Sequence, residues 1–188
     1  MAATTLTAQI AAKAAVSDPA KELLRDDLNP AAYLSLLAEK ALFKDALLFF
    51  AHGVPVDVAV QWAVDCVKQL KPAQPPAKPS ESLPLCEQWL QTRSEDVRRA
   101  AGKSAKKALM ASPADSVAMA VFFTGKSIAA PGAPGAPAPA GASERMAAGA
   151  VRMAVLKSPP EKAAQNYGRA LEIGKTLAKS KGVAYFAG

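Results

Sequence analysis

The stretch that decides the fold is NPAAYLSLLAEKALFKDALLFFAHG, residues 29–53. It begins with Asn29-Pro30, a helix N-cap residue followed by a proline at the first helical position. Apolar residues then recur over 33–37 at a spacing that suits one buried helix face, and residues 42–51 are apolar almost all round. The stretch ends at His52-Gly53, where a glycine can take the left-handed position that closes a helix. We expect two helices that pair as a buried αα-hairpin.

Residues that mark the starts and ends of helices recur through the rest of the chain. Pro55 opens a third helix, in which apolar residues recur at three- and four-residue intervals as far as Leu70. Serines that can cap helices stand at positions 94, 112, 143 and 158, and Gly182 is the expected stop of the last helix. The sequence therefore predicts an all-α fold, a compact bundle of about eight or nine helices built from αα-hairpins. With 188 residues, the expected organisation is a single helical domain spanning residues 1–188.

Two proline-rich segments interrupt the helices. Residues 72–82 contain four prolines, which lack an amide donor and clash with a preceding helical turn, so we predict a linker there. Residues 126–142 enclose the tract AAPGAPGAPAPAG (129–141), which favours a solvated, extended path and predicts a long Pro/Gly-rich loop. Such a tract is either a plain connection between helices or a strap that docks into a partner's groove. Loops of this length are uncommon inside compact domains, which keeps the second interpretation open.

Composition limits the class of protein. No run of residues is long and apolar enough for a membrane span, since the best candidate, 41–51, contains Lys44 and Asp45. The first sixteen residues lack the basic start and apolar block of a secretory signal. Cys66 and Cys86 have no metal-ligand spacing, and each stands close in sequence to a tryptophan, so we expect buried thiols packed beside indoles. A cytoplasmic location is the expectation that follows.

The net charge of +7 is concentrated in the second half of the chain. Residues 93–110 carry six basic and two acidic side chains, and the predicted helix from Ser94 to about Met110 places most of these cations in one stripe. The candidate partner-binding residues are the cations of this stripe, Arg98, Arg99, Lys103, Lys106 and Lys107. A solvated charged face, contact with an acidic protein surface and contact with nucleic acid all remain open. No aromatic residues are interleaved with the cations, which disfavours nucleic acid, and the largely alanine opposite face disfavours a membrane surface.

The sequence shows no catalytic, cofactor-binding or metal-binding constellation. His52 is the only histidine, and its place beside Gly53 suits an imidazolium that faces the last carbonyls of a helix. Gly125-Lys126-Ser127 matches the end of a phosphate-binding loop, but Ala120 stands where that motif needs glycine and the preceding segment is predicted to be helical. We therefore expect a protein that is not an enzyme and holds no cofactor or metal.

Several blocks resemble an uncharacterised family of bacterial all-helical proteins. They are LNPAAYL (28–34), ALLFFAH (46–52), AVQWA (59–63) with Cys66-Val67, AVFFTGKSI (120–128) and AAGAV (147–151). Genes for members of that family often lie near type VI secretion genes, and the resemblance implies an accessory role there. Our sequence-based hypothesis is a protein-binding adaptor or chaperone-like accessory protein whose partner presents an acidic surface. The alternative is a basic, helical, nucleic-acid-binding module.

Overall fold

The computed structural model describes residues 5–74 and 80–186. Within these ranges the chain forms ten α-helices, nine of them seven residues or longer, two short 3₁₀ turns and no strand, which confirms the predicted all-α fold. The α-helices are α1 (Leu6–Ala14), α2 (Asp18–Lys21), α3 (Pro30–Glu39), α4 (Phe43–Gly53), α5 (Val56–Gln69), α6 (Ser82–Thr92), α7 (Glu95–Lys107), α8 (Pro113–Phe123), α9 (Ala142–Leu156) and α10 (Ala163–Ser180). The 3₁₀ turns are Pro160–Lys162 and Ala184–Phe186.

Helices α8 and α9 lie at the centre of the bundle. They pack on each other, and α9 also contacts α4, α5 and α10, while α8 contacts α5, α6 and α7. Helices α1 and α3 cover the outer side of α4. Close approach at the centre is achieved with small side chains, because Ala118 and Ala120 on α8 and Ala147 and Ala150 on α9 are completely buried.

The predicted αα-hairpin is formed by α3 and α4. The side chain of Asn29 accepts a hydrogen bond from the Ala32 amide at 2.8 Å, which confirms the predicted N-cap. The end of the hairpin differs from the prediction, because Gly53 lies inside α4 and the following residue, Val54, is extended. A Cβ at Gly53 would come within 2.6 Å of Cζ of Phe186. Glycine at this position makes room for the buried ring of Phe186 and does not form a left-handed turn.

An aromatic cluster fills the side of the core formed by α4, α5 and α10. The rings of Phe50 and Trp62 meet edge to face with centroids 4.8 Å apart. The Trp62 indole nitrogen donates a hydrogen bond to the Ala170 carbonyl at 2.8 Å, so the buried N–H of this indole is satisfied. Cys66 and Cys86 are both buried free thiols, as expected.

The predicted serine caps have mixed outcomes. Ser112 forms a full capping box with Asp115 at the start of α8, as its sequence pattern indicates. Ser143, in contrast, does not cap α9, which begins at Ala142. Its hydroxyl donates to the Ala120 carbonyl at 2.8 Å and so ties α9 to α8. A serine near a helix start can serve a tertiary contact as well as a cap, and the local pattern alone does not distinguish the two.

The start of the last helix also differs from the prediction. Ser158 donates to the Val155 carbonyl and accepts a hydrogen bond from the Asn166 side chain, so it joins the end of α9 to α10 and does not cap α10. Pro160 begins the 3₁₀ turn Pro160–Lys162, and α10 begins only at Ala163. Gly182 has a φ of 73° just beyond α10, which confirms the predicted stop.

The predicted linker 72–82 is only partly described, since residues 75–79 lie outside the described ranges. Ser82, the last residue of the predicted linker, is the first residue of α6, so the linker ends one residue earlier than predicted. On the other side, the Ala73 amide donates to the Lys157 carbonyl at 2.8 Å, which fixes the exit from α5 against the end of α9.

Candidate partner-binding face

The basic helix of the sequence analysis is α7, which starts after Ser94 and ends at Lys107. Glu95 and Asp96 occupy its first turn and Lys106 and Lys107 its last, an arrangement that complements the helix dipole. The helix buries a narrow face of Arg98, Ala101, Gly102 and Ala105 against the bundle. One of the five candidate cations therefore lies on the buried face.

Arg98 is 2% exposed, so the expectation that it presents its charge outward is wrong. Its Nε and Nη2 donate to the two carboxylate oxygens of Glu95 at 2.6 and 2.7 Å. Its Nη1 donates to the Phe122 carbonyl at the end of α8, and its Nη2 donates to the Ser127 carbonyl at 2.9 Å. The guanidinium also lies over the ring of Phe122, 5.0 Å from its centroid. A buried cation with this many acceptors is a structural clamp.

Gly125 makes room for this clamp. A Cβ at this position would overlap the guanidinium of Arg98, so a larger residue would force the arginine side chain to shift. The GKS segment that superficially matches a phosphate-binding loop is therefore shaped by the packing of an arginine side chain.

Arg99 fastens the start of the Pro/Gly-rich loop to α7. Its Nε donates to Glu95 at 2.6 Å, and its Nη1 donates to the Ala129 carbonyl at 2.8 Å. The loop itself closes through the Ile128 amide, which donates to the Ala136 carbonyl at 2.8 Å. The two features that the sequence presents separately, the basic helix and the Pro/Gly-rich loop 126–142, are thus parts of one structure.

Glu95 joins the two arginines. The hydrogen bond from Arg98, and to a smaller extent that from Arg99, lowers the pKa of this carboxyl group to about 2. Glu95 therefore stays ionised over the whole range of physiological pH. Arg98, Arg99 and Glu95 together carry one net positive charge. The two guanidinium groups direct much of that charge towards backbone carbonyls, to which they donate hydrogen bonds.

The other three candidates, Lys103, Lys106 and Lys107, are exposed, and we call them the lysine face. Lys106 lies over the Phe122 ring, with its Nζ 4.5 Å from the ring centroid. Lys107 is 3.7 Å from Glu81, a loose pair in which both side chains are well exposed. Lys103 forms no ion pair with any residue in 5–74 or 80–186. Because surface pairs of this kind contribute little, these ammonium groups remain available to an external anion.

An apolar side chain is displayed next to the lysine face. Leu109, just beyond the end of α7, is 85% exposed, and it and Met110 both have positive φ angles, 51° and 52°. Non-glycine residues rarely adopt this conformation, and two in succession turn the chain sharply towards α8. The predicted helix extends to about Met110, so an exposed leucine beside the cations was not expected from the sequence.

The two cysteine thiols are buried and stay in the protonated form. Burial raises the pKa of the Cys66 and Cys86 thiols, that of Cys86 to about 12, so both stay protonated and unreactive. In the part of the chain that the structure describes, no three histidine, cysteine or carboxylate side chains converge as a metal site would require. None of the helices in these ranges combines the length and apolar character that crossing a bilayer requires.

His52 does not have the capping role expected from the sequence. Its Nε2 is buried and has no hydrogen-bond partner, and its ring lies against Gly141 at the start of α9. Burial lowers the pKa of this imidazole, with Glu144 opposing the shift and Arg145 and Lys13 adding to it. A neutral ring wedged between α4 and the end of the Pro/Gly-rich loop replaces the predicted imidazolium at the helix terminus.

The geometry thus defines an all-helical protein with a clamped loop and a cationic surface. The chain belongs to the DUF6931 family, a family of unknown function whose model matches residues 33–178. This match confirms the resemblance to an uncharacterised family. No curated protein and no solved structure is significantly similar to the chain.

Proposed function

We propose that this protein is a non-enzymatic adaptor or chaperone-like accessory protein that binds an acidic surface of a partner protein through the lysine face, Lys103, Lys106 and Lys107. The observation that carries the proposal is how the cations of α7 are divided. Arg98 and Arg99 are used internally to hold the loop, whereas the three lysines point outward without strong acidic neighbours. Exposed charges of one sign steer and orient a partner of opposite charge.

Two further features support a protein partner. Leu109 supplies an apolar contact beside the cations, and protein interfaces combine a dry centre with a charged rim. The clamped start of the Pro/Gly-rich loop borders the same helix, so a partner could contact the helix and the loop together. Service to a bacterial type VI secretion machine is part of the proposal and is supported only by the family resemblance described above.

The test is affinity capture from the native cells with a triple variant, Lys103→Glu, Lys106→Glu and Lys107→Glu. The matched control is Lys162→Glu, Lys179→Glu and Lys181→Glu, which changes the net charge equally at three exposed lysines elsewhere. We expect a defined acidic partner to be recovered by the wild type and the control but lost from the first variant. Equal recovery with all three proteins would show that the lysine face does not bind the partner.

Nucleic-acid binding is the alternative, and the number of lysines on the same surface limits how strongly its affinity can depend on salt. If only three lysines contact phosphates, the slope of log affinity against log salt concentration can be no steeper than about −3 for duplex DNA. Gel-shift titration at several salt concentrations measures that slope. A tight complex with a slope of this size, abolished by the triple variant and kept by the control, would favour the nucleic-acid module over the adaptor.

A further inference from the structure

A cavity of about 610 Å³ opens at the end of the bundle where five helices converge. The end of α5, the starts of α6 and α8 and the ends of α7 and α9 surround it. This volume lies within the range of small-molecule binding sites in proteins. The cavity is separate from the loop clamp but borders the lysine face, since Lys107 stands at its rim.

The wall of the cavity is aliphatic. Its apolar side chains belong to Val67, Leu70, Pro72, Leu83, Ala108, Pro113, Ala114 and Ala154. None of the lining residues that the structure describes is aromatic. Of these, Leu70, Ala114 and Ala154 are buried, and we call this buried end the deeper part of the cavity. A surface of this kind suits a flexible hydrocarbon chain and offers no ring on which a base or another aromatic ligand could stack.

The polar groups of the deeper part are already paired with one another. The Ser82 hydroxyl donates to Oδ1 of Asp115 at 2.6 Å, and the Ser112 hydroxyl and amide donate to Oδ2 at 2.6 and 3.0 Å. The Ser104 hydroxyl lies 3.0 Å from that of Ser82 and completes the set. Because its carboxylate oxygens accept three hydrogen bonds, Asp115 needs no ligand to balance its burial.

Among the lining residues that the structure describes, the charged groups exposed at the mouth are Lys107, Lys157 and Glu81. Glu81 pairs loosely with Lys107, whereas Lys157 forms no ion pair with any described residue. The mouth therefore carries an excess positive charge above an aliphatic wall. This arrangement matches an anionic group at the end of a hydrocarbon chain.

We propose that the cavity binds a free, single-chain anionic amphiphile such as a fatty acid. Its chain packs against Leu70, Ala114 and Ala154, and its carboxylate lies at the mouth beside Lys157 and Lys107. Asp115, at the deeper end, disfavours an anion there and so fixes the direction of the chain. This site goes beyond the proposed adaptor function and does not depend on it.

The probe for the test is decanoate, compared with decyltrimethylammonium, which carries the same chain and the opposite charge. Both are titrated below micelle formation into the uniformly ¹⁵N-labelled full chain, and amide shifts are followed by NMR. We expect decanoate to shift the amides of the lining residues in a saturable manner. The cationic amphiphile should bind about fivefold more weakly, a ratio at the upper end of what one exposed ion pair contributes.

Three variants locate the site. Ala108→Trp fills the exposed mouth without disturbing the core and should abolish the shifts, while Ala111→Trp, exposed but outside the lining, should keep them. Lys157→Glu should weaken decanoate binding by roughly fivefold to tenfold. Near-native circular dichroism of each variant ensures that a lost shift reports binding and not unfolding.

Each other outcome overturns the proposal. No saturable shift with decanoate would show that the cavity is not a site for such a chain, and equal or tighter binding of the cationic amphiphile would show that Asp115, not Lys157, selects the ligand. If decanoate fails while Ala108→Trp weakens capture of the protein partner, the cavity belongs to the protein interface. If the triple lysine variant captures the partner as well as the wild type does, the adaptor proposal fails. Decanoate binding to the wild-type chain is a separate measurement, so the two proposals fail independently.

Discussion

Replacing Arg98 with alanine is the sharpest test of how α7, α8 and the Pro/Gly-rich loop are held together. The substitution removes the donors to the Phe122 and Ser127 carbonyls and the ion pair with Glu95. Glu95 is 56% exposed on its side chain, so water can solvate the carboxylate that is left behind. The cost therefore comes mainly from the two carbonyls and from the lost packing on Phe122.

The magnitude follows from these parts. Each carbonyl left without a donor costs about 1 kcal/mol or more, and the stacking of the guanidinium on the Phe122 ring adds about 1 kcal/mol. We expect Arg98→Ala to lower the free energy of unfolding by about 3 kcal/mol. This lies at the low end of the cost of breaking a buried ion pair, because one partner is solvent-exposed.

Arg98→Lys is the matched comparison, because it keeps the charge but lacks the planar fork that reaches two carbonyls and a carboxylate at once. It should cost clearly more than a surface substitution such as Lys103→Ala, for which less than about 0.5 kcal/mol is expected. Urea unfolding followed by circular dichroism measures these free energies. Hydrogen exchange at the Ile128 and Ala136 amides should accelerate in Arg98→Ala, because both lie in the fastened part of the loop.

A cost of less than about 1 kcal/mol for Arg98→Ala, with unchanged exchange in the loop, would show that Arg98 does not act as a clamp. In that case the loop would be held by contacts other than the clamp. A large loss of stability without faster loop exchange would contradict the assignment in a different way, since it would place the role of Arg98 in the core alone.

Three further predictions test other parts of the structure. Gly125→Ala should destabilise the protein by about 1–3 kcal/mol, because the three atoms nearest to the added methyl group all belong to the Arg98 side chain. Combined with Arg98→Ala, it should cost less than the sum of the two single substitutions. A double-mutant cycle of urea unfolding checks this, and additive effects would contradict it. The pKa of His52 in the folded protein lies below its usual 6.5, so as pH falls the unfolded chain binds the proton first. The free energy of unfolding should therefore fall as pH drops below about 6.5 and through the folded-state pKa. His52→Gln should remove that part of the pH dependence, measured as unfolding free energies at about pH 7.5 and about pH 5; an identical pH dependence in both proteins would exclude the prediction. Asp115→Asn should lower the free energy of unfolding by about 2 kcal/mol, because the amide nitrogen of asparagine cannot accept the hydrogen bond that one of the two carboxylate oxygens accepts from Ser82 or Ser112. Thermal and urea unfolding measure this, and a stability equal to that of the wild type would show that the buried carboxylate is not needed.

The fold could be predicted from the sequence because its signals are local. Asn29 and Ser112 mark helix starts, because each side chain accepts a hydrogen bond from a backbone amide three residues later. Gly182 marks a helix end, because its backbone takes the left-handed conformation. The errors occur where a local pattern serves a distant contact. Ser143 and Ser158 stand where caps belong, but their hydroxyl groups join neighbouring helices. Gly53 looks like a helix terminator and is instead a contact point for Phe186.

The sequence predicts which helix carries the candidate cations but not which of them are exposed. Charge and helical spacing correctly placed five cations on one helix, and three of them are exposed as expected. The inward turn of Arg98 could not be read from the spacing, because it depends on the end of α8 and on the loop about thirty residues later in the chain. The cavity has no sequence signal at all, since its lining comes from five helices whose meeting point is a tertiary property.

One signal for the division of the cations was nevertheless present, namely the choice between arginine and lysine. The two cations that bind backbone carbonyls are both arginines, and the three that remain in solvent are all lysines. A guanidinium presents several donors in a fixed plane and is weakly hydrated, so it suits a carboxylate and two carbonyls at once, whereas an ammonium group is a strongly hydrated point charge that loses more on burial. Along an amphipathic basic helix, an arginine next to the apolar face and beside an acidic residue three or four positions away is therefore a candidate clamp, and the lysines mark the surface left for a partner. Exchanging the two types tests this directly: Arg98→Lys should loosen the loop, while Lys103→Arg should leave both stability and partner capture unchanged.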